Sequence, residues 1–574
     1  NKFAFSNCLI QKGTCRTMPI NKVSRLNILI QILLGMAIFF LLVTLIILCM
    51  LPPTATDALI HHLAIPKLWL LNGGFYEIKW SVFSYYPMNV DLLYLIPLYF
   101  HNDIIPNFIH MGFGIGTSWL IYWYLKNKFG RVWGLLGVLV FLSTPIVLRM
   151  STVAYVDLGL IFFTTAGILA YLRWRSSDYN ENKWLIISAI TMGVALGTKY
   201  NALVAWFLLA LAIIFFYSRD TKKQWPAVKY GVIFFLISLL IFSPWLIKNL
   251  ILTGNPLFPL FTGFFNTNVN GMATDGNTYS VVSGNTYMGM FKYRAMLYGE
   301  SFRETLMIPL RFFFQGQDYS DQYFDGVLNP LLIIMVPFAF MNRSFQKDKV
   351  FFVLFSVFFI LITFFLDELR IRYILPAIPF LSILTVMGIM NVLTWSTEKA
   401  APIKYFYTGI ILLFLVTFGA KNIMYLNNYF QNLQPLKYIC NMETRDEYLN
   451  RHMKSYTAMS YINKQTPPNS RIRLIFLAGR GYYLDRLYED DSSFGMNVIR
   501  DLVAKSNDDK IFQKYLHSLG CTHLLVRKDL LLKYLHDNYS PGEVDRLFKQ
   551  IRKAAEIIYE ANGYVVYKLI PSLN

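Results

Sequence analysis

The chain has 574 residues, of which 55% are hydrophobic, 17% aromatic and only 15% charged. Soluble domains carry roughly a quarter charged residues, so an all-soluble protein is excluded, and several stretches exceed the ~18 apolar residues that cross a bilayer. A net charge of +19 then points to basic loops on one membrane face and anionic lipid head groups as partners. No basic stripe with interleaved aromatics occurs, and no nucleic-acid partner is expected.

In chain order, apolar spans are expected at 27–51, 104–125, 131–149, 152–173, 183–198, 203–217, 229–250, 328–341, 350–366, 373–394 and 404–420. The first is too long for a signal h-region and has no small-residue cleavage site after it, so it reads as a span. Lys and Arg gather in short loops such as "KNKFGR", "RDTKKQWPAVK" and "NRSFQKDK", whereas the long segments 52–103 and 251–327 hold few. That bias places 1–26 in the cytoplasm and both long segments outside. The expected organisation is a cytoplasmic segment 1–26, a membrane domain 27–420 and an extracytoplasmic region 421–574.

The last region changes character. "RIRLIFLAG" reads as a buried strand closed by glycine, "DDKIFQKYLHSLG" as an amphipathic helix with a glycine stop, "THLLV" as a strand before another helix, and "YVVYKLI" as a final strand. The fold class is therefore a polytopic α-helical membrane protein with a small C-terminal α/β domain. Its Cys440 and Cys521 are candidates for a disulfide on that side. Within 251–327, the Asn-, Gly- and Ser-rich stretch before residue 291 reads as flexible, and "FKYRAMLYGESFRETLMIPLRFFF" as an amphipathic surface helix.

Sidedness sorts the ionisable residues. Asp57, His61, His62, Lys67, Glu77 and Asp91 fall in the first outer segment, and Arg149, Tyr155 and Asp157 at the next outer turn. Lys199 and Tyr200 follow in "GTKYN", Asn255 in "TGNPLFP", and Asp367, Glu368, Arg370 and Arg372 in "LDELRIRY". Charge at one depth from several turns suggests one cavity. The bland alternative is head-group snorkelling or, for Asp57, a helix N-cap. On an α-helix from Asp57, His61 shares its face at i+4 and His62 points elsewhere. A His–Asp site for a divalent metal is a further alternative, although adjacent histidines do not readily face one ion.

"TDALIHHLAIPKLWLLNGGFY" with "YYPMNVDLLY" resembles the first outer loop of GT-C glycosyltransferases, in the bacterial protein-mannosyltransferase-like branch that uses polyprenyl-phosphate sugars. The likeness continues in order through "TPIVLRMSTVAYVDLGLIFF", "GVALGTKYNALV", "PWLIKNLILTGNPLFP" and "LRIRYILPAIPFLSIL". It implies an inner-membrane enzyme that moves a sugar from a lipid-linked donor to an extracytoplasmic glycolipid, envelope polymer or protein. Asp57 matches the catalytic loop aspartate, Asp91 a second acidic position often held by Glu, and His62 the recurrent histidine. Asp157 is a third catalytic candidate; Tyr155, Lys199, Tyr200, Asn255, Arg370 and Arg372 are substrate-binding candidates. A carboxylate suits proton acceptance and arginine suits a departing phosphate. The other classes to weigh are a flippase for lipid-linked saccharide, which needs inverted repeats and midplane charge, and a non-catalytic subunit of a membrane complex.

Overall fold

The computed structural model describes residues 25–265, 287–365, 369–491 and 496–570. Asp367, Glu368 and most of the Asn- and Gly-rich stretch lie outside the described residues. Helices stand wherever a span was expected: α1 (Arg25–Cys49), two short helices in the first outer segment, α2 (Ala64–Leu71) and α3 (Asn89–Tyr99), then α4 (Ile105–Phe129), α5 (Arg131–Leu142), α6 (Pro145–Met150), α7 (Asp157–Ser176), α8 (Lys183–Leu196), α9 (Ala202–Thr221) and α10 (Gln224–Thr253). Further on, the bundle is completed by Gln346–Phe364, Ile378–Thr397 and Ala401–Leu433. Among the described residues, five helical stretches are long and apolar enough to cross a membrane: Arg25–Cys49, Ala202–Thr221, Gln224–Thr253, Ile371–Thr397 and Ala401–Leu433.

Local chemistry explains the breaks. The 131–149 stretch splits at Thr144, whose ψ of 122° is the extended setting that a following proline imposes. Gly130, at φ 100°, turns α4 directly into α5 in a conformation few other residues adopt. The stretch read as one amphipathic helix at 291–314 is instead three, Tyr287–Tyr298, Phe302–Leu306 and Ile308–Gln315. Gly299 ends the first, and a Ser301–Glu304 capping box starts the second. Ile378–Thr397 is buried along most of its length and forms the centre of the bundle.

The C-terminal domain carries a five-stranded sheet in the order β2-β1-β3-β5-β4: β1 (Arg471–Ile475), β2 (Leu487–Asp490), β3 (His523–Arg527), β4 (Ala555–Ala561) and β5 (Tyr564–Leu569). β1 runs parallel to both β2 and β3, and β5 is antiparallel to β3 and β4. The strands expected at "RIRLIFLAG", "THLLV" and "YVVYKLI" are present; β2 and the β4–β5 hairpin, turned by Asn562–Gly563 at positive φ, were not anticipated. Cys440 and Cys521 are free thiols.

This domain sits on the first outer segment. Tyr483 donates its hydroxyl to the Pro53 carbonyl at 2.7 Å, Arg445 pairs with Asp103 at 2.6 Å, and Lys67 reaches the Tyr482 carbonyl and Asp485 at 2.9 and 2.8 Å. Segment 52–103 and the domain therefore share one end of the bundle, as an even number of crossings between them requires.

Candidate active site at the domain end of the bundle

Asp57 opens a π-helical turn, Ala58–His62, closed by the Leu63 N–H on the Ala58 carbonyl at 2.9 Å. An α-helix would turn His62 away from Asp57; hydrogen bonds running from i to i+5 widen the turn and bring both imidazoles round. The donor atoms of Asp57, His61 and His62 all lie within 4.8 Å of one another. The helical-face expectation is thus corrected for His62, and adjacent histidines do converge. The trio has the donor chemistry of a divalent-metal site, but Arg372 already engages one oxygen of Asp57. The Asp57 side chain caps no helix.

Around this turn, each neighbour comes from a different element. His62 Nδ1 meets Asp91 Oδ1 at 2.7 Å, with both side chains buried. Asp91 lies in the first turn of α3, which docks by the Asn89 N–H on the Gly197 carbonyl at 2.8 Å. A Cβ on Gly197 would sit 2.1 Å from the Asn89 side chain, so only glycine permits this approach. Asp157 begins α7 and accepts from Lys199 Nζ at 2.8 Å. Arg372, in the 3₁₀ turn Ile371–Ala377, makes a short charge-assisted bond to Asp57 Oδ2 and lies over the Tyr155 and Tyr373 rings at 5.6 and 5.2 Å. The Tyr155 hydroxyl accepts the Asp57 N–H at 3.2 Å.

The electrostatics separate the two loop carboxylates. Burial works to raise Asp57, but the Arg372 guanidinium together with the His61 and His62 rings outweighs it and holds the carboxyl well below the usual range. Burial pushes Asp91 up to about 7 and holds the His61 and His62 imidazoles down to about 3. His61 stacks on Phe83 with centroids 4.3 Å apart, and its Nδ1 has no partner among the described residues. Asp157 Oδ2 and Arg372 Nε are likewise buried without one.

Asp57, His62, Asp91, Tyr155, Asp157, Lys199 and Arg372 are therefore brought together. Tyr200 and Asn255 are not: the Tyr200 hydroxyl bonds the Phe258 carbonyl and Asn249, and Asn255 braces its own loop through Leu257 N–H and the Leu260 carbonyl. Arg370 lies 3.7 Å from Asp321 and 4.0 Å from Asp325, in a separate network centred on Arg149. Arg149 bridges Asp318 and Asp325 at 2.7 and 2.9 Å, and Tyr425 donates to Asp318 at 2.6 Å. Lys67 serves the domain contact, not a head group.

One contributor escaped the sequence reading. His110, buried in α4, accepts the Leu158 N–H on Nε2 at 2.9 Å, and its Nδ1 lies 2.7 Å from the Val153 carbonyl. It braces the turn that presents Tyr155 and Asp157. An ionisable residue inside the apolar run "NFIHMGF" was the available signal.

Helices wrapped round this site, with a sheet domain over its mouth, form the GT-C fold, the architecture of a class of membrane glycosyltransferases. ArnT from Cupriavidus metallidurans bound to undecaprenyl phosphate superposes with a TM-score of 0.53 at 15% identity, over 94% of this chain and 98% of that one. The archaeal oligosaccharyltransferase AglB from Archaeoglobus fulgidus, in complex with an inhibitory peptide and a dolichol-phosphate, gives 0.52 at 12% identity, over 94% of this chain and 75% of its own. Residues 67–255 match the family described as dolichyl-phosphate-mannose-protein mannosyltransferase. No curated protein sequence matches the chain.

Proposed function

We propose that the protein is a membrane glycosyltransferase that takes a sugar from a polyprenyl-phosphate carrier. The observation that carries this reading is the pairing of two cations, the buried Arg372 and the half-buried Lys199, with Asp57 and Asp157 at the ends of two membrane helices. Lys199 precedes α9, and Arg372 follows the Gln346–Phe364 helix. Between these helices runs an apolar cleft of about 880 Å³, lined by Phe207, Leu211, Phe351, Phe355, Phe358 and Ile362. A prenyl tail suits the cleft, and its phosphate suits the cations above it. The carriers named in the ArnT and AglB complexes agree with this class of donor.

In the reaction, the acceptor hydroxyl attacks the anomeric carbon, the carrier phosphate leaves, and a loop aspartate receives the hydroxyl's hydrogen bond. One attacking face and no covalent intermediate give inversion. Arg372 and Lys199 need supply only charge to the departing phosphate. The acceptor is a glycolipid, an envelope polymer or a protein on the side where the C-terminal domain lies, the extracytoplasmic side in this reading. A trench of about 1410 Å³ between α2, α3 and that domain, lined by Lys67, Phe75, Tyr99, Phe100, Arg445 and Tyr482, offers room for an amphipathic acceptor.

The test uses the full chain in lipid nanodiscs with radiolabelled sugars on undecaprenyl phosphate and a membrane-envelope acceptor fraction. Label should move to the acceptor, and Asp57→Asn should slow the movement by a factor of about 10² to 10⁴. Normal transfer by Asp57→Asn would remove that residue from the chemistry. Translocation of the sugar-lipid across sealed vesicles without acceptor would favour a flippase instead.

A further inference from the structure

We infer that His62 and Asp91 together receive the proton of the transfer, and that Asp57 holds the acceptor hydroxyl without keeping its proton. The inference rests on the transferase reading above and assigns a step within it. Asp57 is poorly placed to be the final base. Its Oδ2 is bonded to Arg372, and protonating it would leave a buried guanidinium without a counter-charge.

The His62–Asp91 pair has the opposite character. Asp91 Oδ1 lies 2.7 Å from Nδ1, and the side chains are 7% and 2% exposed. A carboxylate behind one ring nitrogen fixes the tautomer and leaves the other, Nε2, to take a proton. The π-turn puts that imidazole on the Asp57 side, close enough for one hydroxyl to address both. With a neutral imidazole and an ionised Asp91, the pair buries a net negative charge. Taking up one proton removes that charge, which burial favours. Asp57 gains nothing comparable, because Arg372 has already neutralised it.

Charges facing the pair come from every element around it. Asp57 and His61 share the turn, Tyr94 lies on α3 and His110 on α4. Tyr155 and Asp157 stand at the start of α7, Lys199 precedes α9, and Arg372 closes the site. Lys199 and Arg372 each have a carboxylate, so neither is left over to neutralise Asp91.

The step balances without a co-reactant. The acceptor oxygen bonds to the anomeric carbon as that carbon's bond to the phosphate oxygen breaks. The breaking bond's electron pair leaves with the polyprenyl phosphate. The hydroxyl proton passes to His62 Nε2 as the Nδ1 proton passes across the 2.7 Å bond to Asp91, so that the imidazole stays neutral and the carboxyl ends protonated.

The decisive measurement is kcat/KM against pH for the full chain in nanodiscs, using the undecaprenyl-phosphate sugar that the unaltered protein transfers. Its rate should rise with pH and level off above about 7, as the pair empties. His62→Gln and Asp91→Asn should each lose about a hundred-fold or more, and the limb near 7 should disappear or move. Binding of undecaprenyl phosphate alone should be kept, because Arg372 and Lys199 hold the phosphate. If His62→Gln fails to fold, the near-isosteric Asp91→Asn decides. Retention of rate and limb overturns the inference, as does a fall in rate that comes with weakened carrier binding and an unmoved limb. An unaltered protein that transfers no sugar overturns the transferase reading and this step with it; active protein with indifferent variants overturns this step alone.

Discussion

Arg149 and Arg372 lie at the same end of the bundle, both buried and both clamped on carboxylates, yet their surroundings are finished differently. Around Arg149, two aspartates, the Tyr425 hydroxyl and the Tyr319 N–H on Asp325 close a network in which no buried polar atom lacks a partner among the described residues. Around Arg372, its own Nε, Asp157 Oδ2 and His61 Nδ1 are buried and unmatched. Each such atom costs roughly 1–3 kcal/mol. A closed network does structural work, whereas an open one keeps hydrogen-bonding capacity for a substrate. Sequence alone does not separate them, because both consist of acids and arginines at helix ends.

The widest gap between the two should come from Asp57→Asn. Transfer should fall by a factor of about 10² to 10⁴, while undecaprenyl phosphate binds more tightly because Arg372 is freed for it; titration of the carrier reads both sides of this trade. Arg149→Met should do the reverse. Removing one partner of a buried charge set costs about 3–5 kcal/mol, so the thermal midpoint should drop with carrier affinity unchanged in the folded fraction. Tyr425→Phe deletes one donor to Asp318 and should cost about 1–3 kcal/mol, again with no effect on the carrier. Equal losses of affinity in the Arg149 and Arg372 settings would erase the distinction.

A pH-dependent effect lies in the sheet domain. Burial pushes Asp490 up to about 7, so between its ordinary range near 4 and pH 7 the folded domain holds a proton that the unfolded chain releases. Stability should therefore decline as pH rises through that window, by at most about 1.4 kcal/mol per unit. Asp490→Asn should flatten the decline in melting curves of the full chain.

Much of the architecture was legible because apolar length is a strong signal: α1, α9, α10 and Ala401–Leu433 are near where hydropathy put them. The site was legible in part. Loop charge put Asp57, Asp91, Asp157, Lys199 and Arg372 on one face, and they do converge. Tyr200 and Asn255 shared that face but were taken up by local bonds around Phe258. Arg370 and Arg149 were drawn to Asp318, Asp321 and Asp325, far away in the chain, which no local pattern reveals. His62 was misplaced by its helical phase, since 3.6-residue periodicity does not describe a π-turn.

That turn has one more consequence. Relative to an α-helix, one extra residue in the turn rotates everything after it by about 100° about the axis. Asp57 and His62 can thus face Arg372 and Asp91 while Lys67, a few residues on, faces the sheet domain and is anchored to Tyr482 and Asp485. Gly479 of the same domain loop lies against Ile60, within the turn itself. The segment behaves like a short crankshaft: the domain grips one throw, and Asp57 and His62 sit on the other. A shift of the sheet domain would be felt at Asp57 and His62 through Lys67 and Ile60.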